Sequence, residues 1–287
     1  MAARLHIRNP AEWAVEQVVH AGTAAKSVAE SVAGTQAADP VIRRIRVSDL
    51  KDVLVKGFED TGTYRTDVFF LCLIYPVLGL ILIGLIAHHE LLPLIFPMAA
   101  GFALVGPAAA VGLYEMSRRR ERGLPTNWSD AFGVIGSHAF GAIAVLGLIL
   151  VAVFLAWLAT AYLIYHLTLG PEQPDSIQAF VRDVFMTEAG WTMIVVGLGV
   201  GFVFAVLVLS ISVISFPLLL DREVGLAKAV STSVRAVAMN PVPMAVWGMI
   251  VAGGLVLGSL PLLLGLIIVM PVLGHGTWHL YRKVIVR

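Results

Sequence analysis

The chain has 287 residues, of which 58% are hydrophobic and only 14% charged, and its mean hydropathy is +0.86. Ordinary soluble domains contain about 45–50% apolar and about 25% charged residues, so this composition excludes a soluble globular protein and predicts a polytopic membrane protein. The net charge of +1 gives no reason to expect nucleic acid as a partner. The single cysteine, Cys72, excludes a disulfide within the chain.

Residues 1–47 are polar to mildly amphipathic and are predicted to form a cytoplasmic N-terminal arm, followed by a transmembrane domain over residues 48–287. Asn9 and Pro10 are typical of a helix start, and the apolar residues after them recur with roughly helical spacing. This pattern is open to two interpretations, an amphipathic helix on the membrane surface or a loosely ordered, alanine-rich arm.

A membrane-spanning helix needs about 20 predominantly apolar residues. Six spans are predicted, at about 68–87, 91–113, 139–165, 191–220, 242–258 and 260–280. The last two come from one uncharged run, Pro241 to Tyr281, which is too long for a single crossing at about 1.5 Å per residue. Gly258 to Pro261 supplies the break. The predicted fold is therefore an all-α bundle of six transmembrane helices.

The loop charges agree with six spans. Nineteen of the 20 Lys and Arg residues fall on one side of that topology, and only Arg182 falls on the other, in an acidic loop after the third span. The positive-inside rule then places both termini in the cytoplasm. Four of the cations, in the loop after the second span, are interpreted as topology determinants: Arg118, Arg119, Arg120 and Arg122.

A short amphipathic stretch precedes each pair of spans. The three stretches are Ser48–Glu59, Ser129–Ser137 and Leu226–Val237, and in the first of them Leu50, Val53, Leu54 and Phe58 share one face. This order is consistent with three helix–hairpin repeats that begin with cytoplasmic elbow helices. It is equally consistent with a compact bundle built without a repeat.

The C-terminal end of the last predicted span carries two histidines four residues apart, His275 and His279. Residues with this spacing lie on one helix face and are suited to bind a metal ion or haem, with His138 as a candidate third ligand. The alternative is an anchor at the membrane interface, because aromatic and cationic residues stand beside the histidines. The anchor residues would be Trp278, Tyr281, Arg282 and Lys283.

Motifs of known chemistry are missing from the sequence: it has no phosphate-binding loop, zinc-protease helix, nucleophile elbow or dinucleotide fingerprint. None of the predicted spans has an ionisable residue at its middle, where such residues are usually functional. The sequence therefore predicts a protein without enzymatic activity and without a cofactor.

Several motifs resemble those of a bacterial membrane family, the domain-of-unknown-function family 2189. They lie at Arg8–Trp13, Tyr64–Asp67, Cys72–Pro76, Ser215–Arg222 and Leu273–Arg282. The resemblance implies a bacterial inner-membrane location and about six helices, and no established activity. Some members are labelled as cytochrome c oxidase subunits, but this chain lacks the intramembrane histidines on separate helices that a haem–copper catalytic subunit needs.

Three functions remain open. The first is an accessory or scaffold component of an inner-membrane assembly, with the lipid bilayer and other inner-membrane proteins as partners. The second is a carrier or channel for a neutral or lipid-like solute, which predicts a polar cavity between the spans. The third is a haem- or metal-binding protein linked to respiratory oxidases, which would use His275 and His279.

Overall fold

The computed structural model describes residues 26–34, 38–63, 93–170 and 176–286, together with the single residues 77, 84 and 174. In these segments the chain is almost entirely helical, and residues 26–33 form a helical segment ahead of the longer helices. The all-α class is confirmed. The helices are α1 (Asp49–Thr63), α2 (Ile95–Ala109), α3 (Val111–Glu121), the 3₁₀ helix η1 (Trp128–Gly136), α4 (Phe140–Thr168), α5 (Ile177–Met186), α6 (Glu188–Ser212), α7 (Ser215–Asp221), α8 (Leu226–Met239), α9 (Pro241–Ser259) and α10 (Leu266–Val284).

Four stretches of the described chain are long and apolar enough to cross a membrane, judged by length and composition. They are Ile95–Glu121, Phe140–Thr168, Glu188–Asp221 and Pro241–Ser259. Each overlaps a predicted span, at 91–113, 139–165, 191–220 and 242–258 respectively. The predicted span 68–87 and the part of the predicted N-terminal amphipathic stretch before residue 26 lie outside the described residues. The predicted span 260–280 is not among the four stretches.

The predicted break after α9 is present, but the following helix starts later than expected. α9 ends at Ser259 and α10 begins at Leu266 rather than at Leu260. Leu262 and Leu263 adopt left-handed conformations, with φ of 51° and 67°, through which a right-handed helix does not continue. Pro261 also lacks a backbone N–H. The second helix of this hairpin can therefore begin only after the turn.

One end of the bundle is defined by buried polar contacts, and we call it the charged end. Asp60 near the end of α1 contacts Ser117 in α3, and Asp221 at the end of α7 contacts Arg282 near the end of α10. The helices α3, α7 and α10 thus run toward this end. The helices α4 and α9 begin there, because the start of α4 faces the end of α7 across a pocket and Asn240, just before α9, contacts the chain ahead of α1.

The opposite end, which we call the far end, comprises α5 and the turn 260–265. The α5 helix begins after Ser176, whose hydroxyl oxygen accepts a hydrogen bond from the Ala179 N–H at 3.1 Å. Its residues Ile177, Val181 and Phe185 are about half exposed and share one face. This segment is predicted from the sequence to be an acidic loop. The structure corrects that interpretation to a short amphipathic helix between two candidate spans.

All three predicted elbow segments are helical, as α1, η1 and α8. Their common origin as a repeat stays a prediction. The predicted apolar face of α1 is partly wrong: Leu50 and Val53 are buried, but Phe58 is 59% exposed. Gly57 and Asp60 occupy the buried face in its place, because α1 packs along α10 rather than on a lipid surface.

The segment ahead of α1 is fixed to the C-terminal tail. Ile42 and Ile285 form an antiparallel bridge, and the Arg43 N–H donates to the Val284 carbonyl at 2.7 Å. The Asn240 amide closes this junction, since its Oδ1 accepts from the Ile45 N–H at 2.8 Å. The last residues of the predicted arm 1–47 are therefore packed on the helical domain.

Candidate functional site

The close approach of α1 and α10 depends on glycines. A Cβ atom at Gly57 of α1 would lie 2.6 Å from the Val272 carbonyl oxygen and 3.0 Å from the Gly276 nitrogen of α10. A Cβ atom at Gly274 would lie 2.5 Å from Leu113 of α3. Close-packed interiors do not accommodate such overlaps, so Gly57 and Gly274 allow α10 to pack between α1 and α3.

A polar cluster lies where these three helices meet. The Asp60 cluster consists of Asp60 from α1, Ser117 and Arg120 from α3, and His275 and His279 from α10. The Ser117 hydroxyl donates to Asp60 Oδ2 at 2.5 Å and lies 2.7 Å from His275 Nδ1. His279 Nε2 lies 2.9 Å from the same carboxylate oxygen, and Arg120 forms an ion pair with the other one.

The contacts of the Asp60 cluster fix its proton positions. An ionised carboxylate only accepts hydrogen bonds, so both Ser117 and His279 Nε2 must donate to Asp60. The Ser117 hydroxyl has one proton, which it gives to Asp60, and its oxygen is then left to accept the proton carried by His275 Nδ1. The cluster is therefore a chain of hydrogen bonds that ends on one buried carboxylate.

The environment of Asp60 favours its ionised form. Burial raises the pKa of the Asp60 carboxyl, but the hydrogen bonds from His279 and Ser117 and the nearby histidine charges outweigh burial and lower the pKa to about 2. The side chain of Asp60 is only 5% exposed. A buried negative charge is thus held at the charged end by donors from two other helices.

The two histidine rings converge on the Asp60 carboxylate rather than on a common point for a metal ion. His275 Nδ1 and His279 Nε2 both face Asp60 Oδ2, at 3.9 and 2.9 Å, and they are used in the hydrogen-bond chain. The other ring nitrogen of His275, Nε2, is buried and makes no hydrogen bond within the described part of the chain. A chelating pair would have to aim two lone pairs at one point, whereas these rings meet at an occupied carboxylate.

Among the described residues, no group of three or more His, Cys, Asp and Glu side chains is arranged to hold a metal ion. His138, the candidate third ligand, is exposed and lines a pocket whose wall does not include Asp60, His275 or His279. The donor set therefore favours a hydrogen-bond network over a metal centre.

A second polar cluster lies one helical turn further along α10. The Asp221 cluster consists of Glu121, Asp221, Trp278, Tyr281 and Arg282. The Arg282 guanidinium donates to both oxygens of Asp221, at 2.7 and 3.0 Å, and its Nε donates to Glu121 at 2.8 Å. The Tyr281 hydroxyl donates to Asp221 at 2.7 Å, and the Trp278 indole donates to Glu121 at 3.3 Å.

The predicted anchor residues thus have protein partners. Trp278 and Tyr281 are fully buried, and the Arg282 guanidinium lies over both rings at 4.8 and 5.3 Å from their centroids. Burial raises the pKa of Tyr281, and the charge of Asp221 raises it further, so the hydroxyl stays protonated as a donor. Lys283 forms an ion pair with Asp52 of α1 at 2.8 Å.

The four arginines predicted as topology determinants lie beside acidic groups at the charged end. Arg118 pairs with Glu115 at 2.7 Å, Arg119 with Asp130 at 3.1 Å, and Arg120 with Asp60. Arg122 lies 3.7 Å from Asp221 and is about half exposed. These arginines link α3 to α1, η1 and α7, in addition to any effect they have on orientation in the membrane.

Two cavities adjoin the clusters. The first, which we call the arginine pocket, has a volume of about 290 Å³ and lies between the ends of α3 and α7 and the start of α4. The second, the apolar cavity, has a volume of about 540 Å³ and lies between α2, α6, α9 and α10. Ser212 and Thr277 line the apolar cavity, but their hydroxyls donate to carbonyls in their own helices, at 2.6 and 2.7 Å. Its wall is therefore effectively apolar.

Sequence reasoning found the two histidines but missed their partners. Asp60 directly follows the predicted elbow stretch Ser48–Glu59 and Ser117 precedes the arginine run, and neither belongs to a known motif. The available signal was the pair of glycines around His275, which indicates close helix contact on both sides of that residue.

Comparison with known families supports the membrane assignment. Residues 95–221 match the family model described as "Predicted integral membrane protein (DUF2189)", which confirms the resemblance over α2 to α7. No curated protein matches the chain. No solved structure matches it either.

Proposed function

We propose that this chain, which matches an integral membrane protein family over residues 95–221, is a six-span protein of the bacterial inner membrane with both termini in the cytoplasm. It has no enzymatic activity and acts as an accessory or scaffold component of a membrane assembly. Its cytoplasmic side is the charged end, and its contact surface is the outer face of α1.

The six-span count is supported by the alternation of the described helices. Five elements run between the charged end and the far end: α2 with α3, α4, α6 with α7, α9, and α10. Thr63 lies near Asp60 at the charged end. Ile95 begins a helical stretch that reaches Ser117, also at the charged end, after roughly 33 Å at 1.5 Å per residue, so Ile95 lies toward the far end. The predicted span 68–87 would connect these two levels.

The cytoplasmic orientation is supported by charge. The charged end carries Arg118 to Arg122 and Arg282, whereas Arg182, the lone cation of the opposite loops, lies in α5 at the far end. Cationic loops are retained on the cytoplasmic side of bacterial membranes.

The scaffold proposal rests on how α1 is packed against the other helices. Its inner face is fixed by Gly57 against α10 and by Asp60, so the helix has little freedom to move. Its outer face exposes Val55 and Phe58, at 45% and 59%. Val55 and Phe58 thus form an exposed apolar pair among charged residues such as Lys51. Such a pair on a firmly packed helix at the cytoplasmic side is suited to bind another protein.

Purification tests this proposal. The tagged chain is extracted from membranes in a mild detergent, and co-purifying proteins are identified by mass spectrometry. We expect a partner in stoichiometric amount that is lost in the variant Val55→Ser/Phe58→Ser. A matched control is Phe132→Ser/Ile135→Ser, which removes an equally exposed apolar pair from η1. A monodisperse wild-type protein without a partner would overturn the proposal.

The apolar cavity supports a second candidate function, the binding of a lipid-like molecule. A carrier or channel for a neutral or lipid-like solute is predicted to have a polar cavity, whereas the cavity between these helices is apolar. A volume of about 540 Å³ with an apolar wall favours a lipid-like ligand over a polar one. The cavity lies among helices predicted to span the bilayer, from which such a ligand would enter.

Extraction of bound molecules tests the second candidate. The purified protein is analysed by native mass spectrometry, with Gly248→Leu as a variant that fills the cavity and Gly253→Leu as its control. Gly248 lines the cavity, whereas a Cβ atom at Gly253 meets nothing within 4 Å. Retention of the same lipids by wild type and Gly248→Leu would rule out this cavity as the binding site.

A further inference from the structure

The arginine pocket has both cationic and apolar walls. The contacts within the Asp60 cluster and the Asp221 cluster do not account for this combination. It is lined by three guanidinium-bearing residues that come from two elements, Arg118 and Arg122 from the end of α3 and Arg222 directly after α7. The exposed His138 lies on its rim. Arginine is the side chain best suited to phosphate, because its planar fork matches two phosphate oxygens at once.

The carboxylates in the pocket wall do not cancel this charge. The lining includes Asp221 and Glu223. Both oxygens of Asp221 already accept hydrogen bonds from Arg282, which lies outside the lining, at 2.7 and 3.0 Å. Arg118 is paired with Glu115, and Asp221 is paired with Arg282. Two arginines of the wall, Arg122 and Arg222, therefore stand against one wall carboxylate, Glu223.

Each arginine of the pocket is oriented by partners in the protein, and Arg118 is paired with the Glu115 carboxylate at 2.7 Å. Arg118 donates to the Leu220 carbonyl at 2.9 Å as well as to Glu115, and Arg222 donates to the Val286 carbonyl. A carbonyl orients a guanidinium without neutralising it. Arg122 lies 3.7 Å from Asp221, beyond hydrogen-bond distance, and its side chain is 49% exposed. It is therefore able to turn toward an incoming anion.

Part of the remaining wall of the pocket is apolar and continues into candidate spans. Ala139 and Ala142 belong to the start of α4, and Leu219 and Leu220 belong to α7. An anionic group bound by the arginines would thus have hydrocarbon surface beside it. The start of α4 also contributes the partial positive charge of a helix N-terminus.

We propose that the arginine pocket binds a phosphate group at the charged end, either the phosphate ester of an anionic lipid or free phosphate. The lipid and the free anion share the chemistry that the arginines recognise. They differ in whether acyl chains lie along the apolar wall.

The test uses the full-length protein in detergent with three probes: dioctanoyl phosphatidic acid, inorganic phosphate and dioctanoyl phosphatidylcholine. Affinity is measured from the rise in thermal stability as each probe is titrated. We expect phosphatidic acid or inorganic phosphate to bind more tightly than phosphatidylcholine. Tighter binding of phosphatidic acid than of inorganic phosphate identifies a lipid headgroup, and equal binding identifies free phosphate. Both results support a phosphate site.

The decisive variant is Arg122→Gln, since this half-exposed side chain can be changed without disturbing the core. We expect it to weaken binding of the phosphate probe about tenfold, the loss of one charge-assisted contact. The control Arg235→Gln removes the same charge from the exposed face of α8, outside the pocket. Arg122→Lys is expected to restore part of the affinity, because it returns the charge but not the fork.

Two results would overturn the proposal. One is equal weakening in Arg122→Gln and Arg235→Gln, which would show binding to diffuse surface charge. The other is the absence of binding of phosphatidic acid and inorganic phosphate by a wild-type protein that is folded by its circular dichroism and melting curve.

Discussion

The two ends of the helix bundle are stabilised by different interactions. At the charged end, side chains from α1, α3, α7 and α10 meet around Asp60 and Asp221, and Trp278 and Tyr281 are fully buried. At the far end, α5 exposes Ile177, Val181 and Phe185, and the turn after α9 exposes three leucines. The charged end is built from contacts within the protein, whereas the far end leaves apolar surface for lipid.

This difference shows where the fold is specified. Apolar helices pack against one another and against lipid with similar energies, so packing alone defines their arrangement weakly. A buried carboxylate that needs donors from particular helices excludes other arrangements, because each would leave the charge unpaired. We therefore expect substitutions at the charged end to have much larger effects than those at the far end.

The largest effect is expected for Asp60→Ala. The substitution removes a buried carboxylate, only 5% exposed, that pairs with Arg120 and is hydrogen-bonded by His279 and Ser117, and we expect this to cost about 3–5 kcal/mol. The free energy of unfolding in detergent, measured by denaturant titration, checks this value. Asp52→Ala is the matched control on the same helix, because its ion pair with Lys283 is 44% exposed on the Asp52 side and contributes less than about 1 kcal/mol. Equal losses in the two variants would contradict the distinction between buried and exposed pairs.

The next effect concerns the glycine contact between α1 and α10. In Gly57→Ala the new methyl group would lie 2.6 Å from a backbone oxygen of α10, so the helices must separate, at a cost of about 1–3 kcal/mol. In Gly62→Ala, on the same helix, the methyl group meets nothing within 4 Å. That control should gain up to about 1 kcal/mol from the higher helix propensity of alanine. A change of the same sign in both would show that the contact between the helices is not tight.

The stability of the charged end should also depend on pH through Asp60. Its pKa is about 2 in the folded protein, below the ordinary value of 3.8. The ionised carboxylate therefore stabilises the fold fully above pH about 4, and this contribution of about 2 kcal/mol is lost as the pH falls toward 2. Melting temperatures of wild type and Asp60→Asn over this range test the assignment. The variant should start lower and lack this particular decline, and parallel curves would refute the role of Asp60.

The spans could be predicted from the sequence, but the Asp60 and Asp221 clusters could not, for a physical reason. A span is a local property of about 20 consecutive residues, so apolar runs predicted α4 and α9 to within a few residues. The partners in the Asp60 cluster are separated by 57 to 219 residues, and no local pattern encodes such pairings. Trp278 and Tyr281 stand beside cationic residues, a combination that is typical of a membrane anchor. Only the three-dimensional arrangement shows that their polar groups bind Glu121 and Asp221.

The smallest effect is expected at the far end, for Phe185→Ala. This side chain is 53% exposed, so its removal leaves no large cavity and should change the free energy of unfolding in detergent by no more than about 0.5 kcal/mol. The same truncation at Phe216 in α7, which is fully buried, should cost about 3–5 kcal/mol. A loss at Phe185 as large as that at Phe216 would mean that α5 packs against protein. A small loss would support α5 as a helix that lies in the lipid interface, with the fold fixed from the charged end.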